Sequence, residues 1–268
     1  TEVPASRWDH SRYYDPAPGT PGKTNSKWGG FIDGADRFDP LFFNIAPREA
    51  ERMDPQERLF LQCVYEAIED AGYTRATLGA TAGQVPGEAN NVGVYVGVMY
   101  DEYQLYGAQE TARGRPMALG GVAASVANRV SYFCNFQGPS LALDTMCSSS
   151  LTAMHLACQS LQRGACEVAI AGGVNVSVHP NKYLLLGQGK FVSSKGLCES
   201  FGEGGEGYVP AEGVGAVVLK SLSKAIEDGD QIYGVIKATA INHGGKTNGF
   251  SVPNPTAKSF GRSTSGRW

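Results

Sequence analysis

The chain has 268 residues, a net charge of -3 and a pI near 5.8, and 42% of its residues are hydrophobic. This composition supports a globular core and excludes a disordered chain. The acidic balance argues against a nucleic-acid partner and against an anionic membrane surface, since both favour a basic face. No apolar run is long enough to span a bilayer, and no signal peptide is recognised in the sequence.

The cysteines indicate a reduced protein without a metal centre. The six of them form no CxxC pair and no Cys/His cluster with metal-ligand spacing. Most lie in apolar runs, where a free cysteine behaves as a small hydrophobic residue. Both features fit a reducing compartment, so we expect a cytoplasmic protein.

The N-terminal part leads from a loop-rich region into a helix. Residues 1–50 are rich in Pro, Gly and aromatic residues and are expected to be ordered but loop-rich. The first strong helix is predicted at 55–71, with Asp54 as its N-cap and Glu57 completing a capping box. Gly72 is expected to end it. Its apolar residues form one stripe, which predicts a buried face.

The remaining predicted elements alternate between strands and helices. Strands are predicted at 92–98, 140–144, 167–171, 213–220 and 233–241. Helices are predicted at 122–132, 148–162 and 223–227. Residues 99–120 are expected to form a loop. Such alternation indicates an α/β fold with a parallel or mixed sheet covered on both faces.

Cys147 lies where the strand at 140–144 gives way to the helix at 148–162. A helix N-terminus presents unpaired backbone N–H groups and a partial positive charge, and both stabilise a thiolate. The same N–H groups can donate to the oxyanion that forms when a thioester carbonyl is attacked. Small serines at 148–150 leave the approach open. A merely buried cysteine is the alternative. Position alone favours neither interpretation, and the strand–turn–helix placement favours a nucleophile modestly.

The motif DTMCSSSL at 144–151 resembles the active-site signature DTxCSSSL of the β-ketoacyl synthases of modular polyketide synthases. Other segments resemble motifs of that family in the same order: VPASRWD at 3–9, WGGFI at 28–32, FDPLFF at 38–43, DPQER at 54–58, NRVSY at 128–132, AGGVN at 171–175 and GYVPAEGVG at 207–215. The sequence of residues 185–207 resembles the corresponding segment of synthases whose acyltransferase is a separate protein. The expected organisation is a partial β-ketoacyl synthase domain at 1–257 and an unassigned, basic tail at 258–268.

The resemblance implies a thiolase-like layered α/β sandwich, of which the chain would hold the N-terminal half with part of the second half missing. It implies a homodimer in which the strand before Cys147 pairs across the dimer axis. It also implies that Cys147 accepts an acyl chain from an acyl carrier protein, and that the carbanion of a decarboxylated malonyl-type extender attacks this thioester. Both substrates would be carried on the carrier's phosphopantetheine, with no cofactor bound by the chain itself.

The family's condensation step uses two histidines, in an HGTGT-type and a KxxxGH-type motif, and the sequence contains neither motif. His10 is expected at the surface and His155 in the core. His179 is expected in a loop, with a place along the acyl channel as the less favoured alternative. His243 begins HGGKT, which matches an earlier loop of the family better than HGTGT. Condensation is therefore expected only from an intact parent domain.

Several other residues are expected to be structural. Asp144 and Glu212 should hold turns near the site without reacting. The Gly-rich stretch at 202–207 carries acids and lacks the Lys-Ser/Thr of a P-loop, which argues against a phosphate site. Four large side chains either shape an acyl pocket or pack in the core: Phe133, Phe136, Met146 and Tyr183.

Two classes of function remain open from the sequence. The first is an acyl-accepting enzyme that acts through Cys147. The second is a non-catalytic dimerisation or interaction fragment, which the absent histidine motifs would explain. A papain-like hydrolase ranks last, because no histidine with an orienting Asn or Asp is indicated near the thiol.

Overall fold

The structure, a computed structural model, describes residues 1–80 and 90–257, so the expected tail at 258–268 lies outside the described residues. In chain order the helices are α1 (Pro47–Arg52), α2 (Pro55–Asp70), α3 (Tyr103–Ala112), α4 (Ala123–Cys134), α5 (Ser149–Gln162), α6 (Asn181–Gln188) and α7 (Leu222–Glu227). The strands are β1 (Val92–Gly97), β2 (Ser140–Leu143), β3 (Val168–Asn175) and β4 (Gly213–Lys220).

The four strands form one mixed sheet in the order β2-β1-β3-β4. Strands β2, β1 and β3 are parallel, and β4 runs antiparallel to β3. Helix α5 packs on one face, against β1 and β3, whereas α2 and α4 cover the other. All six residues of β1 are buried between these layers. The predicted mixed sheet with both faces covered is therefore confirmed.

Helix α2 begins and ends where its sequence predicts. Asp54 Oδ1 accepts the Gln56 N–H at 2.8 Å, and Gly72 follows the helix with a left-handed φ of +80°. The capping box takes a different form. The Glu57 carboxylate accepts a hydrogen bond from Arg129 Nε of α4 at 2.8 Å, so it ties two helices together. The Glu57 side chain thus forms an ion pair between helices instead of its part of the predicted capping box, whereas the Asp54 cap is retained.

Four parts of the chain differ from the prediction. Helix α3 occupies the expected loop at 99–120; its N-cap, Glu102, makes no side-chain cap bond and Gly107 lies mid-helix, so local signals are weak. Helices α1 and α6 were also not predicted. The predicted strand at 233–241 forms neither strand nor helix, because β-branched composition produces a strand only where a partner strand is available.

Asp54 is a buried carboxyl group with an unusual titration. It is 3% exposed, and its Oδ2 accepts no hydrogen bond from the described residues. Burial, together with the neighbouring Asp101 carboxyl, raises the pKa of Asp54 to about 7, compared with an ordinary value of about 3.9. Between about pH 4 and about pH 7, the Asp54 carboxyl group is therefore protonated in the native chain and ionised in the unfolded chain.

We expect the free energy of unfolding to fall by a few kcal/mol as the pH rises from about 4 to about 7, because over this range the native state binds the extra proton. Asp54→Asn should flatten this slope while keeping the N-cap, since Asn caps as well as Asp. Urea unfolding at several pH values measures it. The matched control is Asp39→Asn, an exposed aspartate that accepts the Phe42 N–H. An unchanged slope in Asp54→Asn would contradict the assignment.

Candidate active site

A sharp turn at 144–148 connects β2 to α5 and carries Cys147. Met146 has a left-handed φ of +59°, which is unusual for a residue other than glycine. Cys147 follows it, immediately before the α5 N-cap residue Ser148, and is exposed. The structure thus places Cys147 at the strand–helix junction that the sequence indicated. Strand β2 is half-buried and lies at the edge of the sheet.

Side chains of the motif itself hold this turn. Ser149 Oγ accepts the Thr145 N–H at 2.9 Å and donates to the Met146 carbonyl at 2.6 Å. Ser148 Oγ donates to the Thr145 carbonyl at 2.8 Å. Asp144 Oδ1 accepts the Met146 N–H at 2.8 Å, so Asp144 holds the turn as predicted. These bonds stabilise the left-handed residue and fix the direction in which Cys147 projects.

Two glycines bring the first turn of α5 directly against the sheet. A Cβ atom on Gly97, the last residue of β1, would lie 2.5 Å from the Ser150 nitrogen. A Cβ atom on Gly173 of β3 would lie 2.9 Å from the Ser150 Cβ. Neither position has space for a side chain. Close packing of helix and sheet therefore determines where Cys147 sits.

A cleft of about 660 Å³ opens beside Cys147. The side chains of Met146, Met154, Tyr100 and Tyr208 are among those that line it. Burial raises the pKa of Tyr208 to about 12. Burial also raises the pKa of Tyr100. The nearby Cys147 thiol contributes to the increase for both phenols. Both phenols therefore stay neutral at physiological pH and contribute two uncharged hydroxyl groups to the cleft wall.

Of the four large side chains considered for an acyl pocket, Met146 lines the cleft. Phe133 and Phe136 pack instead in the hydrophobic core on the α2 side of the sheet. Tyr183 is fully buried, and its hydroxyl donates to the Trp28 carbonyl at 3.1 Å. For these three residues, core packing is the correct alternative.

None of the four histidines lines the cleft. The expectation of a surface His10 is wrong. Its ring is buried against Trp8, whose Nε1–H donates to His10 Nδ1 at 2.9 Å. His155 is buried, as predicted, and bonds Thr239 Oγ1 at 2.8 Å.

The other two histidines lie in loops. His179 is buried, and its Nδ1 accepts the Asn181 N–H at 3.1 Å. The exposed His243 accepts the Gly245 N–H in its own loop. His179 also bonds Gln109 of α3 through its Nε2, so it has a structural role between distant segments, whereas the role of His243 is local.

The side chain of Glu212 is fully buried and connects distant parts of the chain. Arg7 binds it with two hydrogen bonds, of 3.1 Å and 2.7 Å, to its two carboxylate oxygens. The backbone N–H groups of Ile32 and Ser177 donate to the same carboxylate. Glu212 therefore fixes the loop that enters β4, whose neighbouring residues line the cleft. Its structural role agrees with the expectation from sequence.

Lys182 is a cleft residue that sequence reasoning missed. It is 3% exposed, and its Nζ donates to Asn175 Oδ1 at 2.6 Å. The same nitrogen lies 5.0 Å from the centre of the Tyr100 ring. Burial lowers the pKa of Lys182 to about 8. Its only signal in the sequence is a lysine beside the apolar run YLLL at 183–186.

Across residues 1–80 and 90–257, no three His, Cys, Asp or Glu side chains are grouped so that they could hold a metal ion. In the same ranges, no helix combines the length and the apolar character that crossing a membrane requires.

Comparison with known proteins identifies the family. The family model described as "Beta-ketoacyl synthase, N-terminal domain" matches residues 1–225. The chain is 73% identical over 258 residues to the polyketide synthase PksL of Bacillus subtilis, which covers 96% of the chain and 6% of PksL. It is 69% identical to the polyketide synthase ThaG of Burkholderia thailandensis, over 95% of the chain and 4% of ThaG. The chain thus spans a small part of these relatives.

Solved structures agree. An oxazolomycin ketosynthase domain from Streptomyces albus, OzmH KS7, is 57% identical, with a TM-score of 0.91 over 97% of this chain and 44% of its own. The ketosynthase from module 6 of the bacillaene synthase of Bacillus subtilis is 40% identical, with a TM-score of 0.85 over 99% of this chain and 43% of its own. The predicted thiolase-like α/β fold is therefore confirmed. The chain belongs to the β-ketoacyl synthase family, among the ketosynthases of polyketide synthases.

Proposed function

We propose that the chain forms the acyl-accepting part of a ketosynthase, in which Cys147 takes an acyl chain from the phosphopantetheine thioester of an acyl carrier protein. The observation that carries the proposal is the exposed Cys147 at the start of α5, beside a largely apolar cleft. An apolar cleft suits the hydrocarbon part of an acyl chain.

The transfer requires a nucleophile and a site for negative charge. The Cys147 thiolate attacks the thioester carbonyl carbon, so a new C–S bond forms and the carbonyl oxygen becomes an oxyanion. Backbone N–H groups and the positive end of the helix dipole at the α5 N-terminus stabilise this charge. When the intermediate collapses, the carrier's thiol leaves with the electron pair of its C–S bond and takes up a proton. The chain is then left as an acyl thioester.

Condensation needs more than this chain supplies. In the family pattern, a malonyl-type extender loses CO2 and its carbanion attacks the acyl thioester, assisted by two histidines in motifs that this sequence lacks. The four histidines of the chain have structural partners or lie in loops. We therefore assign acyl transfer to Cys147 and condensation to the complete domain, in a synthase of the separate-acyltransferase type.

A homodimer is part of the proposal. Strand β2 lies at the edge of the sheet, and its outer edge pairs with no strand of the described residues. Large apolar side chains are exposed around it: Leu141 on β2 (43%), Tyr132 on α4 (84%) and Leu151 on α5 (68%). An exposed strand edge flanked by apolar side chains favours pairing with a second copy.

Peptide mapping tests the acyl transfer. We expect the full-length protein, incubated with an acyl thioester of N-acetylcysteamine, to carry one acyl adduct on the peptide that contains Cys147. Cys198, the other exposed cysteine, is the internal reference for non-specific reaction. The competing hypothesis of a non-catalytic interaction fragment predicts no adduct, or equal modification of both cysteines, and either result would reject our assignment.

A further inference from the structure

Lys182 is the unexplained charged group of the cleft. It lines the cleft together with Cys147, yet it is 3% exposed. Within the described residues, no carboxylate lies within ion-pair distance of its Nζ. The carboxylates of Glu102 and Glu212 interact electrostatically with Lys182. The first is hydrogen-bonded to Asn181 and the second to Arg7. A buried cation without a direct counter-ion is costly, so its retention calls for an explanation.

The Lys182 ammonium group retains N–H donors that can bond a ligand in the cleft. An ammonium group has three N–H donors, and the hydrogen bond that the structure gives the Lys182 Nζ runs to Asn175 Oδ1. Asn175 is itself held, because its Nδ2 donates to the Ala211 carbonyl at 2.6 Å. The Lys182 Nζ also lies over the Tyr100 ring, 5.0 Å from its centre. Asn175, Ala211 and Tyr100 all line the cleft, so this donor is positioned on the cleft wall.

The surroundings make that donor selective. Much of the remaining wall consists of apolar side chains that have no hydrogen-bond donor. They belong to Met99, Met146, Met154, Val214, Ala216 and Val217. In such surroundings, a fixed charged donor stabilises an acceptor oxygen and does nothing for a methylene group. The chemistry of the site therefore favours acyl chains that carry oxygen.

We propose that Lys182 is a specificity-determining residue, whose ammonium group donates a hydrogen bond to a hydroxyl or carbonyl oxygen on the acyl chain transferred to Cys147. This proposal rests on the proposed acyl transfer. It adds the class of substrate: oxygen-substituted acyl chains are accepted in preference to fully reduced chains of the same length.

Two thioesters of equal length test the proposal. The full-length protein is incubated separately with the 3-hydroxybutanoyl and the butanoyl thioester of N-acetylcysteamine, and intact-mass spectrometry follows acylation of Cys147. We expect the wild type to react about tenfold faster or more with the hydroxylated chain, as a hydrogen bond to a charged group allows. In Lys182→Met the ratio should fall to near one through loss of the hydroxybutanoyl rate, with the butanoyl rate retained.

The controls separate this role from a structural one. Lys195→Met removes an exposed lysine and should leave both rates unchanged. If Lys182→Met lowered the acylation rates of both thioesters equally, Lys182 would support the site or contact the N-acetylcysteamine part of the substrates. That result would overturn the proposal. Equal rates in the wild type would overturn it without any variant. No acylation by either thioester would overturn the proposed acyl transfer itself, and the Lys182 proposal with it.

Discussion

Cys147→Ala is expected to abolish acyl transfer to the protein, with a fall of at least about a thousandfold in the rate of adduct formation. We expect the Cys147 sulfur to form the acyl bond, because the hydroxyl groups of Ser148 and Ser149 are already hydrogen-bonded to the backbone of the turn and, for Ser148, to Thr145 Oγ1. The fold should be unaffected. Cys147 is exposed, and substitutions at such positions usually change stability by less than about 0.5 kcal/mol.

Cys198→Ala is the matched control for this prediction. Cys198 is also exposed, and its Sγ accepts the Val209 N–H, one residue from Tyr208 of the cleft wall. We expect Cys198→Ala to keep the full acylation rate. Thermal unfolding of both variants shows whether the fold is retained. An adduct that persists in Cys147→Ala, or disappears in Cys198→Ala, would show that the wrong sulfur has been assigned.

Gly97→Ala is the second large effect that we expect, and it acts without touching the nucleophile. The new Cβ would lie 2.5 Å from the Ser150 nitrogen and 2.6 Å from the Ser149 carbonyl carbon, both backbone atoms. Since such atoms normally stay about 3.5 Å apart, the start of α5 has to move by about 1 Å. A displacement of that size at a reacting group costs about a hundredfold in rate, and the overpacking costs about 1–3 kcal/mol of stability.

Gly215→Ala provides the comparison. Gly215 lies on β4 and lines the same cleft, but a Cβ there would meet no heavy atom within 4 Å. We expect its acylation rate and melting temperature to stay close to those of the wild type. If Gly97→Ala reacted as fast as Gly215→Ala, the packing of α5 on β1 would not control the position of Cys147.

The sequence by itself was sufficient for the local structure of the site. Strand β4 has its predicted bounds, α5 ends at the predicted residue, Gln162, and Gly164 follows with a φ of +68°. The cap of α2 and the junction at Cys147 were predicted as well. Caps, periodicity and turn residues act over a few positions, so these features can be read from neighbouring residues. Helix α3 was missed because its local signals are weak and tertiary packing stabilises it.

Only the tertiary structure decided which motifs meet. Arg7 and Glu212 are 205 positions apart in the chain, yet they form one buried ion pair. The burial of His10 and the place of Lys182 beside Tyr100 likewise depend on elements distant in sequence. The sequence determined the family and the position of Cys147 at the start of a helix. The cleft wall depended on long-range packing, because residue types alone do not specify which side chains the folded chain brings into contact.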